Sequence, residues 1–518
     1  MKMATRLWWI AGGLVGLAVL GGAGGAGPAW AAAGALKIAT AGDLSDVDLH
    51  MTTHYVNRVV LFNVYEMLFA LGEDLSVTPM LVDKHTVSAD GLTYTLALRK
   101  GVKFHSGKTM DATDVVYSLK KMQAKGPRAG EFKKQMKEIV AVDPQTVKIT
   151  LSEISAGFLA ALGNPIAPAV IYPDGEAERQ GGTITKPVGT GPFEVVEWKK
   201  DSYFRVKRFK DYSVDPRPAS GFTGKKEALV ETVDFIPIVD NSVRAAALER
   251  GDVDVATDLN LEDVPRLKGK AGVIISSKPA ISFYDLRFGF KKGIFRDNVK
   301  LRQAVAHAID KEEIVKAVTS GLGKPAPAGI PPGTPYFTTV HANDPYGKPN
   351  LARVKQLLSE AGYKGEEIIL DAHLVPDRIA QTAVVIQSQL QTAGFNVKVR
   401  MLESAALQQV WSNGDFAFFL SGLSARADAD TYYCQFWESS STSTGYKNAE
   451  YDRLCTAGRK ALKHEERAKV YADLEQLLRS DVPWISLNAV VDVQGWREGV
   501  KGWHHWAAGY ARVWGISK

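Results

Sequence analysis

Residues 282–323, SFYDLRFGFKKGIFRDNVKLRQAVAHAIDKEEIVKAVTSGLG, decide the architecture of this chain. The apolar, aromatic run at 283–290 reads as a strand, and a short polar loop, 291–297, comes after it. Val299, Leu301, Ala304, Val305, Ala308 and Ile309 then recur at helical spacing. Asp310 and Glu313 form a capping-box pattern that opens a second helix, and Gly321 can end it. The residues before this stretch are β-rich in pattern, and those after it alternate strand and helix. The chain is therefore expected to cross here from one lobe to another.

Working backwards, the hairpin pattern at 86–99 turns at Ala89-Asp90-Gly91, and Asp111 can cap the helix after it. Strands are expected at 193–198 and 203–209, after a Gly189-Thr190-Gly191-Pro192 segment that calls for unusual backbone angles. Working forwards, Asn350 caps a helix that turns Leu351, Val354, Leu357 and Leu358 inward and stops at Gly362. A strand at 366–374, a helix at 378–393, a strand at 395–402, a helix capped by Ser404 and a strand at 415–421 complete a β-α-β-α-β order. That order predicts parallel strands joined by right-handed crossovers. In such sheets ligands lie beyond the carboxyl ends of the strands, here at 375–378, 403–404 and 422–433. The segment 423–430, LSARADAD, carries the densest charge of the three. The tail, with Trp496, Trp503, Trp506 and Trp514, is too apolar to float and is expected to pack on the first lobe.

The chain's 518 residues exceed what one core supports, so two or three domains are expected. Hydrophobic residues make up 45% and charged residues 23%, the balance of a soluble globular protein. The formal net charge of +6, two of it from Lys2 and Arg6, is far from that of a nucleic-acid binder. Those two cations begin a leader. An apolar run at 7–20 comes next, and small-x-small sites at Ala29-Trp30-Ala31 and Ala31-Ala32-Ala33 allow cleavage. Residues 1–33 are thus expected to be a signal peptide, cleaved near Ala31 to Ala33, and the mature protein to be periplasmic. In that compartment Cys434 and Cys455 can form a disulfide around the polar loop 439–443, or remain two thiols. Their spacing suits neither zinc nor an iron–sulfur cluster, and neither metal nor cofactor is expected.

Several blocks, in order along the chain, resemble one family. They include YEML at 65–68, SADGLTY at 88–94, LRKGVKFHSG at 98–107, GTGPF at 189–193 and LERGDVD at 248–254. FRD at 295–297, LRQA at 301–304, AID at 308–310 and DVP at 481–483 continue the series. From about Leu36 to Lys518 the chain is similar to the extracellular solute-binding proteins of family 5, the peptide/nickel-type receptors of ABC importers. The resemblance implies an α/β, two-lobe periplasmic binding protein fold, class II-like, hinge-linked, with an extra domain on lobe I and the ligand in the cleft. Mapped on this sequence it implies lobe I at 34–70 and 186–282, the extra domain at 71–185, lobe II at 283–491 and a return to lobe I at 492–518. It implies a small-molecule or peptide ligand, permease subunits in the inner membrane as partners, a monomer, and no nucleic acid.

Arg426 is the first candidate for ligand contact, because a guanidinium holds a carboxylate with two parallel bonds. Asp428 and Asp430 can accept from an amine, hydroxyls or a cation. Tyr284 and Arg287 lie at the lobe crossing. Their odd spacing puts them on different strand faces, so at most one faces the cleft. Tyr55 and Arg378 are loop candidates, whereas Trp411 and Trp437 suit core packing better. The family's peptide receptors tend to have a Gly-Trp pair followed by an aspartate. Here Leu423 replaces the tryptophan and Arg426 falls near the aspartate position, which points to an anionic or carboxylate-bearing solute. Enzyme motifs do not assemble. Residues 422–426 lack the second glycine of a nucleophile elbow, and HEER at 464–467 lacks the second histidine of a zinc-protease helix. No catalytic residue is expected. A chemoreceptor or chaperone role is the alternative, and a secreted hydrolase a remote one.

Overall fold

The computed structural model describes residues 35–374 and 377–518, so the leader expected at 1–33 lies outside the described residues. Its organising feature is an antiparallel pair of long strands, Val273–Phe288 and Trp484–Arg497. They form the middle of a ten-stranded sheet. Residues 273–279 pair with 491–497 on the first-lobe side. Phe283 to Arg287 pair with Trp484 to Ala489 and, on the other edge, with the second-lobe strand Phe418–Leu423. The register slips between Pro279 and Phe283 and again between Phe283 and Asp285. A bulge bends and twists a strand, and a proline in a sheet is confined to such sites; the crossing between the lobes falls there.

The apolar pattern places the start of this strand at Phe283, whereas it begins at Val273. Ser276, Ser277, Lys278 and Pro279 break the apolar alternation, and the segment is a strand because residues 491–497 supply its hydrogen bonds. Beyond the crossing, Glu367–His373 pairs in parallel with both Asn396–Leu402 and Phe418–Leu423, the arrangement the β-α-β-α-β order predicts. Asn350 caps Leu351–Ala361 by accepting from the Arg353 N–H at 3.0 Å. Three local readings change. Leu351 faces solvent, 50% exposed, because it occupies the first helical position. Glu403, not Ser404, is the N-cap of Ser404–Asn413. Asp310 accepts from the Glu312 and Glu313 N–H groups, but its own N–H donates to Gln389 rather than to Glu313, leaving a half capping box.

On the first-lobe side, Leu36–Thr40 pairs in parallel with Thr232–Pro237, and the hairpin Phe193–Lys199/Tyr203–Arg208 extends the sheet. Gly189 and Gly191 are not in the left-handed region. They are required by close approach, since a Cβ would lie 2.1 and 2.7 Å from the Val64 carbonyl oxygen. Trp503, Trp506 and Trp514 join the first-lobe core, as the apolar tail predicts. A separate four-stranded antiparallel sheet, in the order Val82–Val87, Thr93–Leu98, Thr146–Leu151 and Met136–Asp143, packs on the helix Ala112–Ala124 around its own core. Cys434 and Cys455 are joined, with Cα atoms 5.8 Å apart, tying the loop after Phe418–Leu423 to the helix Ala449–Lys460. Among the described residues no helix is long and apolar enough to cross a membrane.

Candidate functional site

Alternation along the hinge strand sorts the candidates. Ala280, Ser282 and Tyr284 face a cavity of about 720 Å³. The first lobe contributes Tyr55, Arg244 and Asp258 to its wall, the Trp484–Arg497 strand contributes Asp492, and the helix Asp377–Thr392 contributes Arg378 and Gln381. Tyr55, Tyr284 and Arg378, distant in sequence, therefore meet here. Tyr55 Oη donates to the Gly509 carbonyl at 2.5 Å, which fixes its ring, and Arg378 Nη1 donates to the Val491 carbonyl at 3.1 Å. Arg244 spends its donors on the Ile238, Thr257 and Asp258 carbonyls. Asp258 holds a left-handed φ of 52° at the end of the first-lobe strand Val255–Ala256. Burial and the nearby Asp492 push its carboxyl up to about 6, against the opposing pull of Arg244 and Arg378. Asp492 in turn accepts from Gln494 at 2.8 Å and lies 2.9 Å from His505 Nε2.

Arg426, Asp428 and Asp430 line a second cavity, of about 530 Å³, whose other walls are Thr53 and residues of the extra domain, among them Arg128, Gln135, Ser155 and Gly157. Asp428 is clamped by both terminal nitrogens of Arg467, at 2.6 and 2.7 Å, and caps the helix Ala429–Tyr433 through the Asp430 N–H. Asp430 pairs with Arg459 at 3.0 Å, and burial pushes its carboxyl up to about 6. Both aspartates therefore stand in the cavity wall as expected, but with arginine partners of their own, and the buried Asp430 Oδ1 still lacks a hydrogen-bond partner. The Asp428 carboxylate is committed to Arg467 of the helix His464–Asp481, and Asp430 lies in an ion pair with Arg459 of the helix Ala449–Lys460. Arg426 differs. Its backbone N–H donates to Tyr432 Oη at 2.9 Å, its guanidinium lies 5.9 Å from the Phe436 ring, and its buried Nε finds no partner. Burial, aided by Arg287 and Arg128, pushes its pKa down.

Arg287 reaches neither cavity. It shares a strand face with Asp285, bonds that carboxylate at 2.7 and 3.1 Å, lies over Trp411 and Phe436, and is 4% exposed. Of the odd-spaced pair, Tyr284 is the one that faces a cavity. Trp411 and Trp437 are core residues. Sequence reasoning missed Asp258, Asp492, Arg459 and Arg467. Asp258 lies just past a strand's carboxyl end, a signal available in the sequence but applied only to the second lobe. The other three carry no local signal. Among the described residues no His, Cys, Asp and Glu cluster has the arrangement of a metal site.

Two lobes joined by a crossing strand pair, with cavities walled by both, define a two-lobe solute-binding protein. Residues 76–444 match the model of the bacterial extracellular solute-binding proteins, family 5 (middle region), and the chain belongs to this family. It is 27% identical over 500 residues to the glutathione-binding protein GsiB of Pectobacterium atrosepticum, covering 93% of this chain and 92% of that one. Its fold is similar to that of AgaA from A. tumefacien R10 in complex with agropinic acid, with a TM-score of 0.76, 25% identity, and 93% and 98% of the two chains covered. It is likewise similar to the ABC transporter-associated periplasmic binding protein DppA from Helicobacter pylori in complex with the peptide STSA, with the same TM-score, identity and coverage.

Proposed function

We propose that this chain is the periplasmic receptor of an ABC importer, capturing a peptide or other small polar solute between its lobes and delivering it to permease subunits of the inner membrane. The observation that carries this reading is the 720 Å³ cavity walled at once by the first lobe, both crossing strands and the second-lobe helix that bears Arg378. A solute there touches both lobes only when they are together, so it favours the closed form by those extra contacts. Tyr55 and Tyr284 offer contact area with a polar tip. The family is one of solute-binding proteins, not enzymes, and the relatives' glutathione, agropinic acid and peptide mark the range of solutes to test. The mature chain is exported by the leader at 1–33, cleaved near Ala31 to Ala33, and works as a monomer.

The test is a melting screen of the mature protein against glutathione, agropinic acid, STSA and a set of dipeptides, with mass spectrometry of each mixture after several hours. A true ligand at a hundredfold excess over its Kd adds about 2.7 kcal/mol of stability and is recovered unchanged. A screen with no shift, or a solute converted to product, contradicts the reading.

A further inference from the structure

We infer that the solute presents an oxyanion, a carboxylate or a phosphate, to Arg426 beneath the extra domain. The inference rests on the receptor reading and adds the charge of the solute's end. The second lobe turns three arginines and two aspartates toward the 530 Å³ cavity. Asp428 is taken by Arg467 and Asp430 by Arg459, which also holds Glu438 at 2.8 and 2.6 Å. Of the three, Arg426 is the arginine left without an acid. Asp285, the carboxylate whose field reaches it, is held by Arg287. Across the cavity Arg128 bonds Glu131, and Lys134 and Glu153 stand exposed at the rim.

A buried N–H with no acceptor is rare in folded proteins, and each instance calls for an explanation. Here it is joined to a formal charge, in a space large enough for a solute, on the side chain whose planar fork fits carboxylate and phosphate. The position is also pinned. Tyr432 accepts from the Arg426 backbone N–H and donates to the Ile281 carbonyl at the lobe crossing, at 2.8 Å, and Cys434 next to this helix is tied to Cys455. The extra domain closes the roof. The Ala156 N–H donates to the Arg459 carbonyl at 2.7 Å, and a Cβ on Gly157 would come 3.2 Å from Arg467 and 3.5 Å from Asp428. With Asp428 clamped by Arg467 and Asp430 paired with Arg459, the Arg426 Nε is the donor an oxyanion would find here.

One readout needs no ligand. In the ligand-free protein Arg426→Met is expected to melt above wild type, because it replaces a half-buried guanidinium whose buried Nε has no acceptor with an apolar chain of similar length. Arg467→Ala, which strands Asp428, is expected to melt below. A fall in melting for Arg426→Met gives the arginine a role in the fold and overturns the inference. The second readout is calorimetric titration with Ala-Ala against its C-terminal amide, and with O-phosphoserine against serine. Wild type is expected to prefer the anion at least tenfold in one pair, which tells carboxylate from phosphate, and Arg426→Met to lose that preference. Equal affinities within both pairs, a preference that survives in Arg426→Met, or binding of none of the four overturns the inference. If the melting screen still finds a ligand in those cases, the receptor reading stands.

Discussion

The cavity at Tyr284 and the cavity at Arg426 differ in sign. In the first, Asp258 and Asp492 crowd each other while Arg244 and Arg378 bond backbone carbonyls. In the second, Asp428 is clamped by Arg467, Asp430 is paired with Arg459, and the Arg426 Nε is left without an acceptor. Asp258 and Asp428 both lie past the end of a strand, yet one is crowded by a like charge and the other clamped by an opposite one. A residue's chemistry at such a site is set by the partners that the rest of the fold delivers, and residue type alone does not reveal it.

The largest effect expected from disturbing this contrast is at Arg467. Its ion pair with Asp428 is nearly closed to solvent, with the two side chains 4% and 9% exposed. Removing one partner of a buried pair costs about 3–5 kcal/mol, so Arg467→Ala should lose that much in urea denaturation. A loss under about 1 kcal/mol, the worth of a surface pair, breaks the claim that the aspartate is neutralised.

A smaller and pH-dependent effect is expected at Asp258, which faces Asp492, Arg244, Arg378 and Tyr55. Its folded-state pKa is raised, from 3.8 to about 6. Between those values the native state holds a proton that the unfolded chain has lost, so stability falls as pH rises through the window and is recovered below it. Asp258→Asn should therefore gain up to about 3 kcal/mol over wild type near pH 8, and the gain should vanish near pH 4. Melting curves at the two pH values check this, and a difference that does not change with pH removes the electrostatic contrast between the cavities.

Much of the fold was legible because it is written in local pattern. The β-α-β-α-β order of the second lobe, the hairpin at 86–99 and the caps at Asp111 and Asn350 depend on neighbours in sequence. The first half of the hinge strand was not, because its pairing partner lies more than two hundred residues away. The site divides in the same way. Odd spacing separated Tyr284 from Arg287, but only the bulges and the Asp285 partner decide which of them faces a cavity. Arg426 was legible as a lone cation in an acidic run. That its acidic neighbours have other partners depends on Arg459 and Arg467, which two helices later in the chain deliver.

Small-angle scattering of the mature protein, with and without a saturating solute from the melting screen, tests the central claim most directly. Closure about the crossing strands predicts a smaller radius of gyration in the bound state. Superimposable profiles at saturation contradict a receptor that closes on its ligand.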